Sequence, residues 1–206
     1  MLRKGLLFLS KRLRRDGPAA RRGGPTRPPF AAVYSGAVES LAIAPCTPEA
    51  LAALDAAMPS QHNRIRYNAQ LAGEGLFLVA LLSGAPVGRV LLRWRSTDDT
   101  LIRLGIAEPY VESLGVVPEF RSRGIGTALM QSAEQAAHER GHATMGLSVG
   151  VENIRARALY VRLGYRETDF PPFDVRWGNR DGRGVERIES ETCTYFTRRL
   201  VPLVGF

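Results

Sequence analysis

The strongest constraint on the chain is a six-residue turn, Arg121-Ser122-Arg123-Gly124-Ile125-Gly126. A strand-like run, Tyr110 to Val117, leads into it, and an amphipathic helix over 124–140 leads out. In that helix Ile125, Leu129, Ala133 and Ala136 step by four, four and three, so they share a face. Gln131, Glu134, Gln135, His138 and Glu139 are expected to lie away from that face, and Gly141 to end the helix. Two arginines and two glycines therefore stand at a helix N-terminus. Free backbone N–H groups, the positive end of the helix dipole and flanking cations together bind a pyrophosphate. Glycine at 124 and 126 lets an anion approach the main chain without meeting a Cβ. Thr127 completes the expected cradle.

Two common phosphate motifs do not fit. A dinucleotide fingerprint needs G-x-G-x-x-G, and Gly124-Ile125-Gly126-Thr127-Ala128-Leu129 lacks the third glycine. No G-x-x-x-x-G-K-[ST] loop is present. The pattern that fits is Arg-x-x-Gly-x-Gly after a strand, which resembles the acetyl-CoA site of the GNAT superfamily of N-acetyltransferases. Leu114-Gly115-Val116-Val117-Pro118-Glu119-Phe120 looks like that family's central strand and its exit. Asn153-Ile154-Arg155-Ala156-Arg157-Ala158-Leu159-Tyr160 and Leu163-Gly164-Tyr165 look like its next helix and the strand after it. The match covers roughly residues 38–200 and is densest over 110–166.

The resemblance implies an α/β fold, a mixed and mostly antiparallel central sheet flanked by helices. The central strand would splay from its parallel neighbour and leave a slot for the pantetheine arm. Main-chain groups at Leu114 and Val116 would line the slot, since an open ladder offers N–H and C=O groups to an extended ligand. Arg121, Ser122, Arg123, Gly124, Ile125, Gly126 and Thr127 would hold the pyrophosphate. Asn153 and Tyr160 lie seven residues apart, within about 20° of two full helical turns, so they share a face. By resemblance Asn153 anchors the cofactor and Tyr160 protonates the departing thiolate. Asn153 also reads as a plain N-cap and Tyr160 as a core aromatic.

The attacking amine arrives protonated and needs a base. An alkyl amine with pKa ~10 requires about 4 kcal/mol to lose its proton at pH 7. Glu112 is the candidate, two residues before Leu114 and four before Val116, hence on their face by strand alternation. Some small-polyamine acetyltransferases of the superfamily carry glutamate at the matching position. Glu112 reads equally as a carboxylate paired with an arginine such as Arg103. Glu108 and Asp169 are weaker alternatives. The ribosomal-protein N-terminal acetyltransferases place a glutamate five residues before the asparagine, where this chain has Ser148; the position that histone-type members fill with glutamate is Tyr110. No cysteine lies in these motifs, so direct transfer in a ternary complex is expected.

Charge is unevenly placed. The net charge is +8, and residues 1–29 hold nine basic residues against Asp16 alone. Of 28 basic and 20 acidic residues, 19 of each remain for the rest of the chain. The division is therefore a basic Arg/Pro/Gly-rich leader over 1–37, a domain over 38–200 and a tail over 201–206. The leader reads as disordered, as a transit peptide or as a nucleic-acid contact; the neutral remainder argues against nucleic acid for the folded domain. Cys46 and Cys193 form no metal spacing and read as buried thiols in a reducing, cytoplasmic setting. His62, His138 and His142 read as surface residues. No apolar run reaches the roughly 18 residues of a membrane span. The expected partners are acetyl-CoA, an amine acceptor and, as a homodimer, a second copy; no metal is expected. A non-catalytic acyl-CoA-sensing module and a nucleic-acid-associated protein are the rival functions.

Local signals place strands at 38–43, 76–82, 87–94 and 144–149, helices at 48–57, 61–71 and 154–163, a polar connection over 95–108, and a last strand at 193–200. Residues 169–191, with Gly178, Gly182 and Gly184, read either as a hairpin loop over the acceptor site or as a solvated excursion.

Overall fold

Thr47 accepts the backbone N–H of Ala50 through its hydroxyl, at 3.1 Å, and Pro48 fits the first helical turn. These two residues start α1, Pro48–Ala57, at the predicted place. The computed structural model describes residues 32–36, 39–180 and 185–201. The remaining elements are β1 (Ala32–Gly36), β2 (Glu39–Pro45), α2 (Asn63–Leu71), β3 (Gly75–Leu82), β4 (Ala85–Arg93), α3 (Asp99–Arg103), β5 (Tyr110–Val116), α4 (Ile125–Glu139), β6 (Thr144–Gly150), α5 (Ile154–Arg162), β7 (Arg166–Glu167), β8 (Phe173–Arg180) and β9 (Glu186–Arg199). The sheet order is β1-β2-β3-β4-β5-β6-β9-β7, with β8 paired to β9. Among the described strands only β5 and β6 run parallel, so the mixed, mostly antiparallel sheet is as expected.

Two expectations shift, and a third stretch takes one of its two expected forms. β1 lies inside the stretch read as leader and pairs with β2, so the sheet begins before residue 38. Residues 1–31, with the basic cluster, lie outside the described residues, as do 202–206 of the tail. The connection 95–108 contains α3, which Asp98 caps by accepting from Thr100 and Leu101 N–H at 2.8 and 3.1 Å. Within the 169–191 segment β8 pairs antiparallel with β9, Phe173 opposite Cys193 and Arg180 opposite Glu186, while 181–184 lie outside the described residues.

Both faces of the sheet are covered, which explains why β3 reads as an unbroken apolar run. On one face Leu78, Ala80, Val90, Leu92 and Val111 pack against Leu129, Ala133 and Ala136 of α4. On the other, Phe77, Val79 and Leu91 pack against Leu51, Leu54 and Tyr67 of α1 and α2. Glu134 and Gln135 of α4 are buried, not solvated as the helix periodicity predicts. The cause is long-range: Arg198 on β9 reaches back and holds Glu134 at 2.7 Å. Burial still pushes the Glu134 carboxyl above its ordinary value, with Arg198 pulling against it.

Candidate active site

β5 pairs with β6 at Tyr110–Gly146 and Val111–Leu147 and then leaves it. Beyond Val111 the parallel ladder is open. On its other edge β5 stays paired to β4, where Leu91 stands opposite Glu112 but Arg89 stands opposite Gly115. Two steps on β4 therefore match three on β5. The extra residue is a β-bulge, and Ser113 within it takes φ +61°.

The bulge corrects one prediction. Strict alternation puts Glu112, Leu114 and Val116 on one face. Instead Glu112 sits opposite Leu91 on the α1/α2 side, while Leu114 and Val116 pack toward α4. One strand thus addresses two clefts. The Val117 N–H donates to Val87 O at 2.9 Å. By antiparallel alternation the neighbouring Val116 N–H and C=O turn away from β4, toward the open side.

The first cleft, about 560 Å³, lies between β5, the α4 N-terminus and α5. Leu114, Val116, Arg121, Ser122, Gly124, Ile125, Gly126, Thr127, Asn153 and Tyr160 all line it. The first N–H of α4 to bond within the helix is that of Ala128, to Gly124 O at 3.0 Å, and Gly124 supplies no side-chain cap. The N–H groups of Ile125, Gly126 and Thr127 precede the first i→i−4 bond, as an anion site at a helix start requires. Gly124 takes φ +81°, where an L side chain is strained.

The second cleft, about 530 Å³, lies between α2, the ends of β4 and β5, and the β8–β9 hairpin. Glu112 opens into it with Arg66, Arg93, Arg176, Trp177 and Glu191. Gln61 Nε2 donates to Asn179 Oδ1 at 2.6 Å, which ties the hairpin across this cleft to the α2 end of the fold. Residues 173–180 pair with 186–193 as a hairpin beside the second cleft, and most of their side chains are exposed.

A splayed β5–β6 pair, a bulged central strand and an uncapped helix start facing the resulting cleft form a recognisable set. The sequence profile described as the Acetyltransferase (GNAT) family matches residues 42–165. The chain belongs to this family. Over 95 residues it is 40% identical to an uncharacterised N-acetyltransferase of Methanocaldococcus jannaschii, covering 45% of this chain and 40% of that one. The chain thus matches less than half the length of that curated relative. The ribosomal-protein-S18-alanine N-acetyltransferase of Escherichia coli shares the fold at TM-score 0.54 and 18% identity, covering 81% and 99% of the two chains. YncA of Salmonella typhimurium, solved with acetyl-CoA, does so at TM-score 0.53 and 18% identity, covering 80% and 96%.

In this GNAT chain the predicted site residues do not all play the expected parts. Arg123 does not line the first cleft; its guanidinium lies 5.2 Å above the Phe120 ring. Arg121 lines the cleft but donates from Nε to Val116 O at 3.0 Å, so one face of it braces the bulged strand. Asn153 Oδ1 caps α5 by accepting from Ala156 N–H at 3.1 Å, so its capping role is seen while it also lines the first cleft. Tyr160 is buried, edge-on to Tyr165 at 5.9 Å, and burial pushes its hydroxyl up to about 12. Glu112 pairs with Arg93 Nε through Oε1, not with Arg103, which bonds Thr100. Its Oε2 is the oxygen left to the cleft.

Glu108 accepts from Tyr195 and Thr197 hydroxyls at 2.6 and 2.9 Å, a structural role away from both clefts. Asp169 is exposed and lines neither cleft. Ser148 lines the second cleft. His62 lines it too, half-buried, and His142 is half-buried and stacks on Trp94 at 6.4 Å, so neither is a plain surface residue.

Sequence reasoning missed Arg155 and Arg162, which line the first cleft; Arg155 also donates to Ser122 Oγ at 3.2 Å. Their seven-residue spacing on α5 was the available signal, as for Asn153 and Tyr160. It missed Arg66, Arg93 and Arg176 of the second cleft, for which no local pattern exists. Among the described residues no three His, Cys, Asp or Glu side chains gather as a metal site would need, and no helix is long and apolar enough to cross a membrane.

Proposed function

We propose that this chain is an acetyl-CoA-dependent N-acetyltransferase that moves an acetyl group to a primary amine by direct transfer in a ternary complex. The observation that carries the reading is the bulged, splayed β5, which stands between a cleft headed by an open helix start and a cleft that holds a carboxylate. The first fits acetyl-CoA in kind: unbonded N–H groups over 125–127 and the cations Arg121, Arg155 and Arg162 suit a pyrophosphate and its neighbouring phosphate. The open edge of β5 at Leu114 and Val116 suits an amide-bearing arm. When bound, acetyl-CoA supplies the thioester acetyl group.

The rest is the work of the chain. Glu112 Oε2, through water, takes the proton that the amine must lose. The Val116 N–H, turned to the open side of β5, donates to the carbonyl oxygen as charge develops there, a contribution often worth about 3 kcal/mol or more. Tyr160 lines the same cleft and, as a phenol, is protonated at neutral pH, so it can give its proton to the leaving sulfur. Calorimetric titration with acetyl-CoA, against NAD and ATP, tests the reading. Micromolar binding of acetyl-CoA alone supports it; no binding by folded protein overturns it. A non-catalytic acyl-CoA sensor would bind and show no thiol release with any amine.

A further inference from the structure

The second cleft carries an uneven charge pattern that its carboxylates do not absorb. Three guanidiniums, Arg66, Arg93 and Arg176, and three carboxylates, Asp98, Glu112 and Glu191, border it. Asp98 is spent as the N-cap of α3. Arg93 is held between Glu112 and Glu74. That leaves Arg66 and Arg176, and among the described residues neither has a carboxylate within 4 Å. Arg66 Nη1 donates only to neutral oxygens, Ser60 Oγ at 3.3 Å and Asn63 Oδ1 at 3.1 Å.

Arg66 is also crowded by its own kind. Arg89 and Arg93 stand near enough to disfavour its charge, burial disfavours it more, and only Glu112 opposes them; the guanidinium is pushed down to about 10 and stays charged at neutral pH. Arg89 Nε is itself buried, and among the described residues it has no hydrogen-bond partner. A partly desolvated guanidinium such as Arg66, joined by the exposed Arg176 at the rim of the cleft, suits a planar or tetrahedral anion. The same cations repel an acceptor whose only other groups are ammoniums.

We propose that the acceptor amine carries a second, anionic group, a carboxylate or phosphate, which Arg66 and Arg176 hold while the amine faces Glu112. The cleft then takes a zwitterion: the anion meets the two unpaired guanidiniums, and the ammonium meets the carboxylate side formed by Glu112 and Glu191. Polyamines are poor acceptors. The proposal rests on the acetyl-transfer reading, but its test does not need turnover.

The test titrates CoA-loaded protein with product-like twins that differ only in the anion. N-acetyl-γ-aminobutyrate is set against its amide, and N-acetylaminoethyl phosphate against N-acetylethanolamine. The charged twin should bind about tenfold tighter or more in at least one pair, as charge-assisted hydrogen bonds predict. The pair with the larger ratio tells carboxylate from phosphate. Arg66→Gln should bring the ratio toward one, and Arg66→Lys should keep part of it. Arg176→Gln, at the exposed rim of the cleft, should lower the ratio independently and carries the test should Arg66→Gln loosen α2. Twins that bind alike, or alike fail to bind, overturn the proposal, as does a ratio unchanged in both glutamine variants. Failure of acetyl-CoA to bind overturns the transferase reading instead; the same twins titrated into CoA-free protein, read by the same ratios, then decide the second cleft.

Discussion

Replacing Gly126 by alanine separates two reasons for a glycine at that place. Gly126 lies outside the left-handed region, so its backbone does not demand glycine. A Cβ built there would sit 3.5 Å from Leu159 Cδ2 and 4.0 Å from Val116 Cγ2, ordinary contact distances. The methyl is therefore tolerated, and the unfolded chain loses freedom. The free protein should gain about 0.5 kcal/mol, toward the low end of Gly-to-Ala effects because the site is in the first turn. For a chain of this length that is a rise of roughly 1–2 °C in Tm.

Leu159 and Val116 are both walls of the first cleft. If the pyrophosphate lies on the turn, the methyl intrudes on it and acetyl-CoA affinity should fall about tenfold, the effect of ~1.4 kcal/mol of overpacking. Gly124→Ala is the contrast. It forces a Cβ onto φ +81° with nothing within 4 Å of it, so stability should drop by ~1–2 kcal/mol through strain alone. Differential scanning calorimetry and calorimetric titration on both variants make the comparison. A Gly126→Ala protein that is more stable and binds acetyl-CoA as well as the parent refutes the placement of the pyrophosphate. A less stable one refutes the packing argument.

Other perturbations follow from the same geometry. Tyr160→Phe should lower kcat by on the order of 100-fold while acetyl-CoA affinity holds, read by thiol release and by titration; equal loss of both would reassign Tyr160 to binding. Asn153→Ala should cost about 1 kcal/mol of helix capping, near 2–4 °C in Tm, before any effect on ligand is counted. Cys46 and Cys193 are pushed by burial up to about 12 from an ordinary 9. Their thiols stay protonated in the folded chain while the unfolded chain ionises first, so their contribution is complete below pH 9 and is lost as pH rises toward 12. Urea midpoints at pH 8, 9 and 10 should fall, and less steeply in a Cys46→Ala, Cys193→Ala double variant; equal slopes would contradict the burial argument.

What could be read from the sequence was local. Thr47-Pro48 states a helix start with its own atoms, and the strand signals at 76–82 and 87–94 imply a hairpin over Ser83-Gly84-Ala85-Pro86; the turn closes on Ser83-Gly84 alone, both at positive φ, because Ala85 and Pro86 pair with Leu82 and Leu81. The glycine-arginine turn declares itself because anion binding at a helix start uses contiguous residues. Glu134 was misjudged because the residue that buries it, Arg198, is 64 positions away and on a strand whose place beyond β6 no local pattern fixes. The Arg93–Glu112 pair was misassigned for the same reason: it depends on the β4–β5 register. Arg66 and Arg176 border one cleft only because the β8–β9 hairpin is tied to Gln61, just before α2.

The bulge is the deepest of these failures, and it has a functional consequence. A regular β5 would point Glu112, Leu114 and Val116 the same way, and a base on that face would compete with pantetheine for the same cleft. One extra residue at Ser113 changes the parity of the strand midway. Glu112 then turns to the cleft with the guanidiniums, and Leu114 and Val116 turn to the cleft with the open helix start. Under the transferase reading, proton acceptance and thioester binding are served from opposite faces of one strand, four residues apart. Deleting Ser113 should therefore do more than shorten β5. It should restore strict alternation and rotate one of the two sets out of its cleft, so that acetyl-CoA binding and acceptor-twin binding can no longer both persist. A folded deletion variant that keeps both would show that the bulge does not divide the site.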